Sequence, residues 1–574
     1  MRLLLLLLMT AGVFVLPASA TGQPPDLILH HGKIVTVDKD FSLAEAIAVR
    51  DGRIVAVGTN DAVLATKGEA TKLVDLTGKM VLPGLIDSHV HPSGAAMHEF
   101  DHPVPDMETL ADVLAYIRSR AAVVPEGDWI NVRQIFITRL KEQRYPSRAE
   151  LDEVAPQHPV MFATGPDAML NTLALKESGI DKDFQVTGAG YIEKDPATGE
   201  PTGLLRSCTR YAKSKSSGKS ATKNEQLARL ETLFRDYNSV GLTAVSDRNS
   251  TSGAIENYVL LKNDDRLSVR MMVSQGVDAS GKLDAVQESI RQIARHPLRK
   301  PDPLLRIIGI KCFLDGGMLT GSAYMREPWG TSDIYLIRDP DYRGVRMIEP
   351  DKLQQLVGTT VEAGLQFTAH SVGDGAVHTL LDAYEAANKT MPVRPTRPCI
   401  THSNFMSLEA VEQMVRLGVV ADIQPAWLYL DARTLSAQFG NDRLRYFQPL
   451  RTIFEQGAIA GGGSDHMQKV GSLRSINPYN PFLGMWVTIT RQARWFEGAL
   501  HPEEALTREQ AIRFYTMNNA YLLFMDDQIG SLETGKLADL VVLDRDLLTC
   551  PVYEIREAQA VATYLGGRQV HPRQ

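Results

Sequence analysis

Met80-Val81-Leu82-Pro83-Gly84-Leu85-Ile86-Asp87-Ser88-His89-Val90-His91-Pro92 is the stretch on which the reading of this chain turns. An apolar run of strand length ends in two histidines spaced i, i+2. On a strand such residues point to the same side, so both imidazoles can meet one metal ion where the strand runs out. Pro83-Gly84 turns the chain, and Leu85-Ile86 is buried-strand material. Asp87 sits where a carboxylate can orient an imidazole from behind. A His-x-His pair alone is weak evidence, because a solvated loop carries the same pattern by chance. The rest of the chain decides.

Working outward, seven more short apolar runs read as strands, at 242–246, 268–273, 307–313, 365–369, 399–401, 419–423 and 458–461. With 81–88 they make eight. Helical periodicity lies between them: Leu353, Leu356, Val357 and Val361 recur at 3.6-residue spacing, as do Leu408, Val411, Met414 and Val415. Alternating strand and helix predicts an α/β chain with a parallel sheet and right-handed crossovers. Eight strands predict a closed barrel. An open doubly wound sheet is the alternative, disfavoured because no G-x-G-x-x-G follows the first strand. The stretch 95–235 is too long for one crossover and reads as an insertion. Within it, 195–203 is turn-rich and suits a hairpin tip, and 213–223 is a Ser/Lys-rich loop.

The two chain ends look all-β. Strand-like runs at 26–29 and 33–37 flank a turn at His31-Gly32, and runs at 46–49 and 53–57 flank Asp51-Gly52, a strong hairpin signal. Hairpins need a partner layer, and it appears at 538–543 and 558–565, with Gly566-Gly567 as a turn. The expected organisation is a small β domain from 21–79 and 526–574, with the barrel region 80–525 set between its halves.

With 574 residues the chain exceeds one domain by length. Apolar content of 44% and a formal net charge of -7 are ordinary. Without a basic stripe, nucleic acid is excluded as an expected partner. Arg2, an apolar run from Leu3 to Leu16 and Ala18-Ser19-Ala20 predict a signal peptide over 1–20, cleaved after Ala20. The run is short for a membrane span, and no later stretch is long and apolar enough to cross. The mature chain is expected to be exported, periplasmic or secreted. Oligomeric state stays open, a homo-oligomer included. Of Cys208, Cys312, Cys399 and Cys550, none form a C-x-x-C pair, and Cys312 and Cys399 sit in apolar runs expected in the core.

Strand ends supply the rest of a metal site. Lys311 lies inside an apolar strand, where a lysine is costly unless it has a job. His370 and His402 each end a strand, and Asp465 follows the last one behind Gly461-Gly462-Gly463-Ser464. These are the C-terminal ends where barrel active sites are built. Ser464 and Asp465 are also good helix caps, which is the plain structural alternative. His98, His102 and His466 lie near strand ends, and Tyr324, Gln424, Trp427, Tyr429 and His466 are candidates to shape a substrate pocket.

At this point the chain resembles the amidohydrolase superfamily, in its YtcJ-like amidohydrolase 3 branch. The resemblance rests on 82–92, Lys311, His370 with Gly373-Asp374, His402, Gln424-Pro425 and Ser464-Asp465. Outside the barrel, 530–540, 171–180 and 193–203 also match. It implies a distorted TIM (β/α)8 barrel, a small β-sandwich domain formed by both chain ends, and one or two divalent metal ions, commonly zinc. Carried over, His89, His91 and Asp465 bind one ion, and His370 and His402 bind the second. Lys311, carboxylated by CO2, bridges the two. An uncarboxylated lysine paired with Asp315, beside a single ion, is the alternative.

Neutral imidazoles suit zinc, and a lysine carbamate supplies the anion that balances two dications. Such a centre supplies hydroxide at neutral pH, and Asp465 then moves the proton to the leaving nitrogen. The expected function is hydrolysis of a C–N bond in an amide, N-acyl or cyclic amide small molecule. An isomerase, a C–O hydrolase using the same metals, and a catalytically dead binding protein are the alternatives.

Overall fold

The computed structural model describes residues 23–573 except 134 and 217. The signal-peptide reading of 1–20 therefore lies outside the described residues. Eight parallel strands form one sheet in chain order: β1 (Leu85–Val90), β2 (Leu242–Ser250), β3 (Arg270–Gly276), β4 (Leu305–Phe313), β5 (Gln366–Ser371), β6 (Cys399–His402), β7 (Val420–Ile423) and β8 (Ile459–Gly462). Seven coincide with the apolar runs of the sequence, whereas the run 81–88 divides at Gly84: Met80–Pro83 joins the sheet of the small β domain, and only Leu85–Val90 enters the barrel. The apolar runs follow from a sheet covered on both sides.

The barrel draws shut between β1 and β8. Just beyond β8, the Asp465 amide donates to the His89 carbonyl and the His91 amide to the His466 carbonyl, each at 2.8 Å. Asn519 seals the seam below by donating to the carbonyls of Ile86 and Gly462 at 2.5 and 2.7 Å. Gly463 permits this approach, since a Cβ there would lie 2.7 Å from the Cβ of His89.

Helices Pro350–Glu362 and Leu408–Leu417 occupy the periodic segments, burying Leu353, Leu356 and Val357 in one and Val411 and Met414 in the other. Leu408 departs from the pattern: as the first helical residue it lies past the edge of the core and is 38% exposed. Cys312 and Cys399 are buried, and all four cysteines are free.

Between β1 and β2 the chain builds a five-stranded sheet from Ile130–Arg133, Val160–Ala163, Ala168–Leu170, Tyr191–Lys194 and Pro201–Arg206. The last two pair antiparallel around the turn-rich 195–203 segment. Both chain ends meet in a six-stranded sheet, where Leu540–Leu543 pairs antiparallel with Met80–Pro83. A four-stranded sheet faces it across a core that includes Leu29, Ile47, Val81 and Leu540. Asp51-Gly52 makes the expected hairpin turn, both residues at positive φ. His31-Gly32 does something else. Leu27–His30 and Lys33–Val35 enter different sheets, so this turn crosses between layers and its flanking strands never pair. Among the described residues no helix is long and apolar enough to cross a membrane.

Candidate metal centre

The alternation of the β1 pleat brings His89 and His91 to one side. Their Nε2 atoms are 3.3 Å apart, and Asp465 Oδ1 lies 3.1 Å from His91 Nε2 and 3.3 Å from His89 Nε2. Asp465 reaches them because its backbone turns into the left-handed region at φ 56°, a conformation Asp tolerates better than most residues. No described helix starts after it until Pro481–Thr490, so the helix-cap reading does not hold.

Second-rank contacts decide where the protons sit. His89 Nδ1 faces Asp422 Oδ2 at 3.0 Å. A carboxylate accepts, so Nδ1 carries the proton and the Nε2 lone pair faces His91 and Asp465. Burial holds the His89 imidazole well below its ordinary pKa, helped by nearby Lys311. A single proton can be shared between His91 and Asp465. It leaves His89 presenting a bare lone pair to them, the donor arrangement a divalent cation satisfies. The residues therefore fit the metal that their pattern implies.

Asp422 serves a second histidine. Gln424 Nε2 donates to Asp422 Oδ1 at 3.0 Å, and Gln424 Oε1 accepts from His402 Nδ1 at 2.7 Å. His402 Nε2 is thereby free to bind. Ser88 Oγ donates to Asp422 at 2.7 Å, and the Arg248 Nε is 3.8 Å from its other oxygen, so the buried charge is compensated. Asp87, expected to hold an imidazole, instead accepts from the backbone amides of His89 and Ser464 at 2.9 and 3.0 Å. Its carboxylate is taken up by these main-chain amides, and it ties β1 to the segment after β8.

His370 packs edge-to-face on His402 with ring centres 4.4 Å apart, and its Nε2 is 3.2 Å from the Gly316 carbonyl. Lys311 is 1% exposed, and burial pulls its ammonium down to about 8. Asp315 is committed elsewhere. It accepts from the amides of Tyr324, Val372 and Gly373 at 2.9–3.0 Å, and burial raises its carboxyl to about 8.

His89, His91, Lys311, His370, His402 and Asp465 all line one cavity of about 580 Å³. Phe313, Leu319, Met347, Trp427 and Met467 give it apolar wall, and Phe136, Thr164, Ser207 and Arg210 reach it from the inserted sheet region. Of the candidate substrate contacts, Trp427 is present, stacked on His402 at 4.5 Å. The others lie elsewhere. Tyr324 packs on Gly373 and Gly375 under the Arg346 guanidinium. Gln424 stands behind His402. His466 is fully buried, bonded to Tyr237 Oη at 2.7 Å and to the carbonyls of Gln468 and Lys469. His98 and His102 line a neighbouring cavity, and Tyr429 another.

A model of the amidohydrolase family matches residues 72–571. The chain belongs to that family. An N-substituted formamide deformylase from Arthrobacter pascens is 29% identical over 562 residues, covering 95% of this chain and 98% of its own. YtcJ of Bacillus subtilis is 24% identical over 565 residues, covering 95% of this chain and 99% of its own. A metal-dependent hydrolase from Pyrococcus horikoshii shares the fold, with a TM-score of 0.65 at 20% identity over 92% of this chain and 99% of that one.

Several residues of this amidohydrolase site escape a sequence reading. Asp422 carries a signal that could have found it: an acid within an apolar strand, as unusual as Lys311. Asn477 carries none. Its Nδ2 donates to the Asp465 carbonyl at 2.7 Å and lies 3.3 Å from Oδ2. Arg139 in turn donates to Asn477 Oδ1 at 2.7 Å while pairing with buried Asp431 at 2.8 Å. The insertion thus reaches Asp465 through one asparagine.

Proposed function

We propose that this amidohydrolase is an exported, metal-dependent hydrolase of C–N bonds in small amides, N-acyl compounds or cyclic amides. N-substituted formamides are the first class to test. The observation that carries the reading is the convergence of the His89, His91 and Asp465 donor atoms in a cavity that also holds Lys311, His370 and His402.

His89, His91 and Asp465 would hold one divalent ion, with zinc best suited to two imidazoles and a carboxylate. His370 and His402 would hold a second, with a carboxylated Lys311 between them. When bound, such ions supply Lewis-acid polarisation of a carbonyl and hydroxide at neutral pH.

The chain's own residues do the rest. Asp465 turns Oδ1 to the histidines while Asn477 steadies its backbone and Oδ2. A carboxylate held so can take the proton of the attacking water and return it to the leaving nitrogen. The apolar wall around Phe313, Met347 and Trp427 suits an apolar substituent on the acyl or amine side and keeps water off it. The insertion closes the cavity with Phe136 and Arg210 and so sets substrate shape.

A turnover screen of the zinc-supplemented enzyme over N-substituted formamides, N-acyl amino acids and cyclic amides tests this reading. Hydrolysis of one class supports it, and activity confined to esters or lactones assigns the same residues to C–O chemistry instead. Export is tested by deleting residues 1–20. The truncated chain is expected in the cytoplasm, and its export would refute the leader.

A further inference from the structure

We propose that His30, His31 and Asp75 form a second divalent transition-metal site, on the surface of the small β domain and independent of the barrel centre. Neighbouring residues on a strand point to opposite faces, so His30-His31 alone would not converge. The chain leaves its strand at His30, however, and His31 takes φ 53° in the crossover between sheets. That turn swings its ring back, and the two imidazoles meet with centres 4.5 Å apart. Asp75 arrives by register, as the parallel-strand partner of His30.

The donor atoms are spaced for one ion. His30 Nδ1 and His31 Nδ1 are 3.1 Å apart, and His31 Nδ1 is 3.1 Å from Asp75 Oδ2. All three lie within 4.8 Å of one another. Two donors each about 2.1 Å from a common ion are roughly 3.0 Å apart at a right angle and roughly 3.4 Å apart at the tetrahedral angle. Both observed edges fall inside that window. Only one proton fits between two facing imidazole nitrogens, so at least one lone pair points into the cluster.

The frame is also fixed beforehand. The His31 amide donates to Asn60 Oδ1 at 2.7 Å, and Asp75 Oδ1 accepts from the Thr77 amide at 2.8 Å, which leaves Oδ2 to the histidines. The His31 and Asp75 side chains are 53% and 51% exposed, so water can complete the coordination. Two imidazoles with one carboxylate suit Zn2+, Ni2+ or Cu2+.

The test uses enzyme whose barrel centre is already zinc-loaded. Calorimetric titration with Zn2+ is expected to show one further equivalent per chain, bound more weakly than the resident metal. Added Zn2+ should also raise the melting temperature, because binding to the folded state alone stabilises it. The double variant His30→Ala/His31→Asn, with asparagine chosen to tolerate the left-handed backbone, should weaken this equivalent at least tenfold. It should abolish the melting shift and keep full hydrolytic activity, and Asp75→Asn should weaken binding in the same direction. Melting without added zinc verifies that each variant is folded. No further equivalent in the wild type, or equal binding by the folded double variant, overturns the proposal.

Discussion

Asp422 Oδ2 lies 3.0 Å from Nδ1 of His89, with both side chains closed off from solvent. This one carboxylate orders two of the cavity's histidines. It fixes the proton of His89 directly and that of His402 through Gln424, so two imidazoles present free Nε2 atoms to the cavity.

The first prediction follows from that contact. Asp422→Asn should weaken metal binding by about 10–100-fold, the usual cost of losing a carboxylate behind a ligating histidine. Chelator competition measures it. Unchanged metal affinity in a folded variant would show that the contact is only structural.

Asp465→Asn separates metal binding from proton transfer. Asparagine keeps an oxygen donor and tolerates the φ of 56°, but it cannot take a proton. The variant should retain most of its metal and lose about 10²–10⁴-fold in kcat. Metal content and kcat measured on one sample decide it, and an active variant would remove Asp465 from the mechanism.

The insertion should reach catalysis through Asn477. Asn477→Ala frees the Asp465 backbone and leaves Arg139 without one acceptor. Lower kcat with KM and metal content nearly unchanged is expected from steady-state kinetics. A KM effect alone would place Asn477 in substrate binding instead.

The barrel and the β domain are pinned by Arg270 and Asp539. Arg270 Nε and a terminal nitrogen donate to the two Asp539 oxygens at 2.6 and 2.7 Å, and both side chains are at most 6% exposed. Asp539→Ala leaves a buried guanidinium uncompensated, which costs roughly 3–5 kcal/mol. Denaturant unfolding should show that loss, and a change within 0.5 kcal/mol, about the size of an ordinary surface substitution, would refute the pinning role.

The barrel was legible because its strands are buried on both faces and so read as plain apolar runs, several of them carrying, at or near the C-terminal end, a residue that does not belong there. His89, His91, His370, His402, Lys311 and Asp465 stand out against such a background. Their supports do not. Asn477 and Arg139 are polar residues in loop-like sequence, and only folding reveals that Asn477 touches Asp465 and that Arg139 stands behind Asn477. Tyr324 and His466 failed in the opposite sense, since a pocket aromatic and a packed one look alike in one dimension. His31-Gly32 reads as a hairpin turn because local sequence shows a reversal, whereas the choice of sheet is made by distant partners such as Met80–Pro83.

Metal analysis combined with anomalous diffraction tests the central claim most directly. Protein purified without chelator should carry at least one divalent ion per chain, with its anomalous peak between His89, His91 and Asp465. A second peak between His370 and His402 should coincide with continuous extra density on the Lys311 amine. Chelation should abolish hydrolysis and added zinc restore it. Metal-free protein that still hydrolyses its substrate, or a peak elsewhere with these three residues bare, would contradict the account.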